Sequence, residues 1–92
     1  MSLDNLPKFE IEYFIDSYVS NGTEYTMVTA NVFVNGEPGR SFAERQGINE
    51  AEIAALARPF LHRLDMQKFL YYQVTQKVAQ YQREVLININ NT

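Results

Sequence analysis

Two Asn-Gly dipeptides, Asn21-Gly22 and Asn35-Gly36, bracket a run that alternates between apolar and other side chains as a strand does. Asn-Gly supplies the positive φ angles of a two-residue type I′ turn, and apolar alternation on both flanks makes this the strongest short-range hairpin signal a sequence can carry. Residues 8 to 34 therefore read as a β-hairpin whose register follows from its turn. With Asn21 and Gly22 as the loop, Phe9 faces Val34, Ile11 faces Val32, Tyr13 faces Ala30 and Ile15 faces Val28, and this face is expected to be the core. The other face pairs Glu10 with Phe33, Glu12 with Asn31, Phe14 with Thr29, Asp16 with Met27 and Tyr18 with Tyr25. Aromatic rings and a Met among carboxylates are unusual on a solvated face. It is either half covered by the chain or a surface for a partner.

The second turn reads Asn35-Gly36-Glu37-Pro38-Gly39. A two-residue loop would place Pro38 inside a strand, where it cannot donate to the ladder. A five-residue loop is therefore expected, with Val34 opposite Arg40, Val32 opposite Phe42 and a short third strand at about 40–45. Asn49 followed by Glu52 resembles a capping box that opens a helix at Glu50. Beyond it, apolar residues at 53, 56, 57, 60, 61 and 64 trace one helical stripe, and Met66, Leu70, Val74, Val78, Tyr81 and Val85 continue at helical spacing. The expected fold is α+β: an antiparallel three-stranded meander (8–19, 24–34, about 40–45) with two C-terminal helices packed on one face, about 50–64 with a kink at Pro59, unless Pro59 starts a new helix, and 66–86. Ile53, Phe60, Leu64, Val74 and Val78 are expected to pack on Ile11, Ile15, Val28, Val32 and Phe42. The alternative is one rod over 50–86, since a heptad pattern with Gln67 as its one polar position runs through that stretch. A rod of about 55 Å would overhang strands of about 37 Å and require a second chain to bury its stripe.

A chain of 92 residues has material for one core, so 1–92 is expected to be a single domain with tails at 1–7 and 88–92. With 46% hydrophobic residues that core needs no disulfide or metal, and the lack of cysteine excludes thiolate chemistry and fits a reducing compartment. Residues 1–7 have no leader character and no run approaches the roughly 20 apolar residues of a membrane span. A soluble, cytoplasmic protein is expected. Residues 1–52 carry nine carboxylates against Lys8, Arg40 and Arg45, whereas 53–92 carry Arg58, Arg63, Lys68, Lys77 and Arg83 against Asp65 and Glu84. Such a division can steer an electrically uneven partner.

Little in the chain suggests chemistry. His62 is the single histidine, and a His62–Asp65 pair without a nucleophile or oxyanion site is half of a catalytic set. Glu10, Glu12 and Asp16 share a flat strand face where nothing excludes water or separates their pKa values. The glycines lie at turns rather than in a phosphate-cradling loop. The expectation is a protein that is not an enzyme, with no catalytic residues, metal or cofactor. Two binding surfaces stand out instead. The protein-binding candidate is the outer sheet face, Phe14, Tyr18, Tyr25, Met27 and Phe33, because aromatic and Met enrichment is what interface cores show. The nucleic-acid candidate is the helix stripe Lys68, Tyr72, Gln76, Ala79 and Arg83, since cations contact phosphates and rings stack on bases.

The succession Asn21-Gly22, a twelve-residue strand segment, Asn35-Gly36, then Gly39-Arg40-Ser41-Phe42 leading into an acidic helix start resembles the small meander-plus-two-helices anti-CRISPR proteins of phages that attack type I-F systems. The resemblance covers about thirty residues, rests on turn chemistry and carries no residue-level site across. It implies a non-catalytic inhibitor in the cytoplasm of the infected bacterial host, binding protein subunits of an RNA-guided CRISPR surveillance complex, and guide RNA with the basic stripe, to block target DNA binding. Dense acidic runs of the DNA-mimic kind are absent. The competing expectation is a homo-oligomeric structural or accessory protein joined through the helix stripe or the outer sheet face.

Overall fold

The computed structural model describes residues 6–90, and the ends of both expected tails, 1–5 and 91–92, lie outside the described residues. Three strands, β1 (Phe9–Ser20), β2 (Thr23–Val34) and β3 (Glu37–Asn49), precede a short helix α1 (Glu50–Ala54) and a long one, α2 (Pro59–Asn90). The sheet is an antiparallel meander in the order β1-β2-β3, so β2 is its centre and both partners are edges. The α+β arrangement expected from the sequence is the one found.

The first hairpin has the register dictated by its turn: Phe9 opposite Val34, Ile15 opposite Val28 and Tyr18 opposite Tyr25. Asn21 (φ 52) and Gly22 (φ 75) both occupy the left-handed region, as a type I′ turn requires. Asn35 (φ 54) and Gly36 (φ 81) do the same, which corrects the five-residue loop and the short third strand. Val34 is opposite Glu37, Phe33 opposite Pro38, Val32 opposite Arg40 and Ala30 opposite Phe42. Turn chemistry outweighs the proline because β3 is an edge strand, where Pro is tolerated. The register shifts between Val32 and Phe33, leaving Gly39 as the extra residue of a β-bulge. A Cβ on Gly39 would lie 2.6 Å from the Tyr81 hydroxyl and 3.0 Å from the Val32 carbonyl oxygen, so the bulge brings bare backbone against the helix. The strand itself runs to Asn49, level with Thr23, and Glu50 N–H donates to the Gly22 carbonyl at 2.9 Å.

Asn49 caps α1 as expected, its side-chain oxygen accepting from Ala51 N–H at 2.8 Å. That helix ends after five residues. Pro59 does not kink a helix over 50–64; it begins α2, the position where its missing N–H costs nothing. The break expected at 64–66 thus lies at 55–58, and α2 continues through Asn90, into the expected C-terminal tail. At 32 residues α2 is about 48 Å long, most of the molecule's 57 Å extent.

The core is one helix stripe on one strand face: Met66, Leu70, Val74 and Val78 against Val28, Ala30 and Val32, flanked by Phe9, Ile11, Tyr13, Phe42, Ile48 and Tyr81. Of the heptad stripe that a rod would have offered to a second chain, Val74, Val78 and Tyr81 meet the sheet, whereas Phe60 and Tyr71 stay exposed. Two expected core members are exposed, and two more, Ile53 and Leu64, lie outside this cluster. Phe60 is 71% exposed and Ile15 is 50% exposed, because α2 packs over β2 and β3 and leans away from the β1 edge. Ion pairs tie the two layers: Arg63 grips Glu24 through two bonds of 2.9 and 3.0 Å, Lys77 pairs with Glu44, and Arg40 approaches Glu84 at 3.8 Å while its guanidinium lies over the Tyr81 ring. The Glu24 hydrogen bonds hold Arg63 further in its charged form. Tyr13 bonds Thr75 at 3.2 Å and stacks tilted on Tyr71 on the β1 side. Leu70→Ala should lower the unfolding free energy by about 2–5 kcal/mol, whereas Phe60→Ala should change it by less than about 0.5 kcal/mol; chemical denaturation of the two variants measures the contrast.

Candidate binding face of the sheet

The long helix α2 lies on one side of the sheet, and the register determines what the other side presents. Across the three strands its rows read Glu10–Phe33–Pro38, Glu12–Asn31–Ser41, Phe14–Thr29–Ala43, Asp16–Met27–Arg45 and Tyr18–Tyr25–Gly47. The structure brings all five expected protein-binding residues onto this one face. Phe14 is 49% exposed and Tyr18 37%, while Tyr25, Met27 and Phe33, on the central strand, are half-buried by their neighbours. Of the two readings open from the sequence, the bare face is the one that the described residues fit, since α2 packs on the other side.

One corner of this face is rigidly organised. Tyr18 and Tyr25 stack with ring centroids 5.2 Å apart. The Arg45 guanidinium lies 4.7 Å from the Tyr25 centroid and its Nη1 donates to the Tyr18 oxygen at 2.8 Å, which, led by that hydrogen bond, raises the Arg45 pKa. Gly47 makes the arrangement fit, since a Cβ there would lie 2.7 Å from the Tyr25 ring. Such rings lose little freedom on binding, because neighbours already hold their rotamers. Arg45 and Gly47 were not singled out from the sequence. Asn35-Gly36 alone does not reveal them: an unbroken two-residue hairpin would pair Arg45 with Thr26 and Gly47 with Glu24, and the bulge at Gly39 is what places Arg45 beside Met27 and Gly47 beside Tyr25.

At the other end, the bulge opens a cleft of about 260 Å³ between β2 and β3, lined by Asn31, Phe33, Pro38 and Ser41 together with the backbone around Gly39. Ser41 Oγ donates to Asn31 Oδ1 at 2.6 Å along its side. Glu10, Glu12 and Asp16, on the edge strand, are exposed and make no ion pair among the described residues.

The nucleic-acid candidates Lys68, Tyr72, Gln76 and Arg83 are all exposed on α2, with Ala79 half-buried between them, and Tyr72 is among the most exposed rings in the molecule. Lys68 and Arg83 are not used in ion pairs among the described residues, whereas Arg63 and Lys77 are. His62 stands in the first turn of α2 with Nε2 buried and without a hydrogen-bond partner, and no bond joins it to Asp65 among the described residues. Among the described residues no group of His, Asp or Glu is arranged to hold a metal ion, and no helix is long and apolar enough to cross a membrane.

No protein-family model matches the chain, and no curated protein or solved structure matches it. Function must therefore be argued from the faces themselves. Gly47→Ala is expected to push Tyr25 out of its stack and cost about 1–3 kcal/mol through overpacking; loss of the Tyr25 near-ultraviolet dichroism together with a lower denaturation midpoint checks this.

Proposed function

We propose that this chain is a non-catalytic inhibitor that works by occupying a surface of a larger protein assembly with its outer sheet face. The observation that carries the reading is the contrast between the two sides of one sheet. The inner side is packed by α2, while the outer side keeps Phe14, Tyr18, Tyr25, Met27 and Phe33 together, at least partly exposed among the described residues, with Arg45 bonded to Tyr18 and lying over Tyr25. An apolar and aromatic patch kept in water by a small domain is what a protein-binding surface looks like. The turn pattern shared with phage inhibitors of type I-F systems points to the partner, the protein subunits of a multisubunit RNA-guided CRISPR surveillance complex, whose target DNA binding would be blocked. The exposed cations Lys68 and Arg83 then suit a guide-RNA contact beside the protein contact.

Self-assembly has less to support it. Val74, Val78 and Tyr81, part of the heptad stripe that would have joined copies, are used against the chain's own sheet. The outer face carries Glu10, Glu12 and Asp16 against Arg45 and, just before the strand, Lys8, so two copies face to face would bring together the same surplus of carboxylates.

Binding of the purified chain to a type I-F surveillance complex, with light scattering of the chain alone, tests the proposal. Phe14→Ala with Tyr18→Ala should weaken binding by about tenfold or more, as loss of interface aromatics does. Lys68→Ala with Arg83→Ala should weaken it less and flatten its dependence on salt, since each lost phosphate contact removes a share of counterion release. No measurable binding together with a stable homodimer would overturn the proposal in favour of self-assembly.

A further inference from the structure

Three features of the outer face converge at its β2–β3 turn end. The first is the cleft of about 260 Å³ that the Gly39 bulge opens, with Phe33 and Pro38 as apolar walls and the Asn31–Ser41 pair on its side. The second is position. Phe33 is the cross-strand neighbour of Glu10, and Asn31 that of Glu12, which places both glutamates on the strand beside the one that lines the cleft, about 5 Å away backbone to backbone. The third is charge. Neither carboxylate has an ion-pair partner among the described residues, and Lys8, next to the strand, makes no ion pair with them. Arg40, whose backbone also borders the cleft, directs its guanidinium to the opposite side of the sheet, over Tyr81 and toward Glu84. The remaining cation of the face, Arg45, stands at the far end with the tyrosines.

A concave spot with an aromatic ring, amide and hydroxyl oxygens and, on the adjacent strand, two glutamates without an ion pair among the described residues is complementary to one kind of side chain. We propose that this cleft receives a Lys or Arg side chain from a basic stretch of the protein partner, the aliphatic stem lying between Phe33 and Pro38 and the charged head meeting Glu10 and Glu12. The inference rests on the outer face being the docking surface and adds which chemistry it selects. A phosphate backbone would be repelled by the same carboxylates. A second copy of the chain would bring a face with the same surplus of carboxylates. A basic protein surface gains from both the ring and the charges.

Titration of the isotope-labelled full chain with a short peptide in which Arg alternates with Thr, followed by amide chemical shifts at low ionic strength, tests this. The control peptide carries Glu at each Arg position. The Arg peptide is expected to move the amides of Glu10, Glu12, Asn31, Phe33, Gly39 and Ser41, and the Glu peptide to leave them unmoved. Because Glu10 and Glu12 are exposed, Glu10→Gln with Glu12→Gln should leave the fold intact and weaken the Arg peptide about five- to tenfold. Shifts centred elsewhere, no shifts at all, equal binding of the Glu peptide, or unchanged affinity in the double variant would each overturn the inference. Absence of binding to the surveillance complex alongside a positive titration would remove that partner and leave the cleft's selectivity standing.

Discussion

A near-match between two repeats holds this molecule together. Alternate residues of a strand recur about every 6.6 Å, and every fourth residue of a helix about every 6 Å. The central strand β2 buries Thr26, Val28, Ala30 and Val32, and α2 buries Met66, Leu70, Val74 and Val78. Three steps of each therefore cover nearly the same length, so one stripe can lie along one strand without losing register. The ion pairs report the direction: Arg63 meets Glu24 near the start of β2, and Arg40, opposite Val32 near its end, meets Glu84. Helix and strand run the same way, and the layer between them is only one side chain wide.

That narrow contact explains why so much apolar surface stays in water. A single helix over a three-stranded sheet covers about two strands, and here they are β2 and β3. Ile15 and Val19 on β1 and Tyr71 on the helix flank are left partly exposed. It also explains where the charge division goes. Cations of the helical half and carboxylates of the sheet half, Arg63 with Glu24 and Lys77 with Glu44, are spent on seating α2. What remains free is more local: carboxylates on the outer edge of β1 and cations on the back of α2. A partner approaching the molecule meets two faces of opposite sign on opposite sides of a thin body, which is a stronger orienting cue than a division along the chain.

The Gly39 bulge links fold and site. It lets Pro38 sit in β3, brings Gly39 backbone against Tyr81 on the inner side, and opens the cleft at Phe33 on the outer side. One inserted residue thus shapes both surfaces, as bulges at sheet edges do.

Much of this was legible in the chain. The hairpin register, the two faces of β1 and β2 and the set of outer aromatics follow from Asn21-Gly22 and strict alternation, because a two-residue turn leaves no freedom in pairing and a pleat sends neighbours to opposite sides. The helix stripe Met66, Leu70, Val74 and Val78 was legible for the same kind of reason, a local period. What local pattern did not decide was competition between distant parts. Whether Pro38 or Asn35-Gly36 governs the second turn depends on β3 being an edge strand, and whether Phe60 or Met66 enters the core depends on where α2 begins and how it leans. The cleft beside Glu10 and the Arg45–Tyr18 bond depend on which residues three strands bring side by side. Periodicity and turn chemistry act over a few residues and are written in the chain; edge position, helix placement and cross-sheet neighbours are set by packing, and exist only once the layers have met.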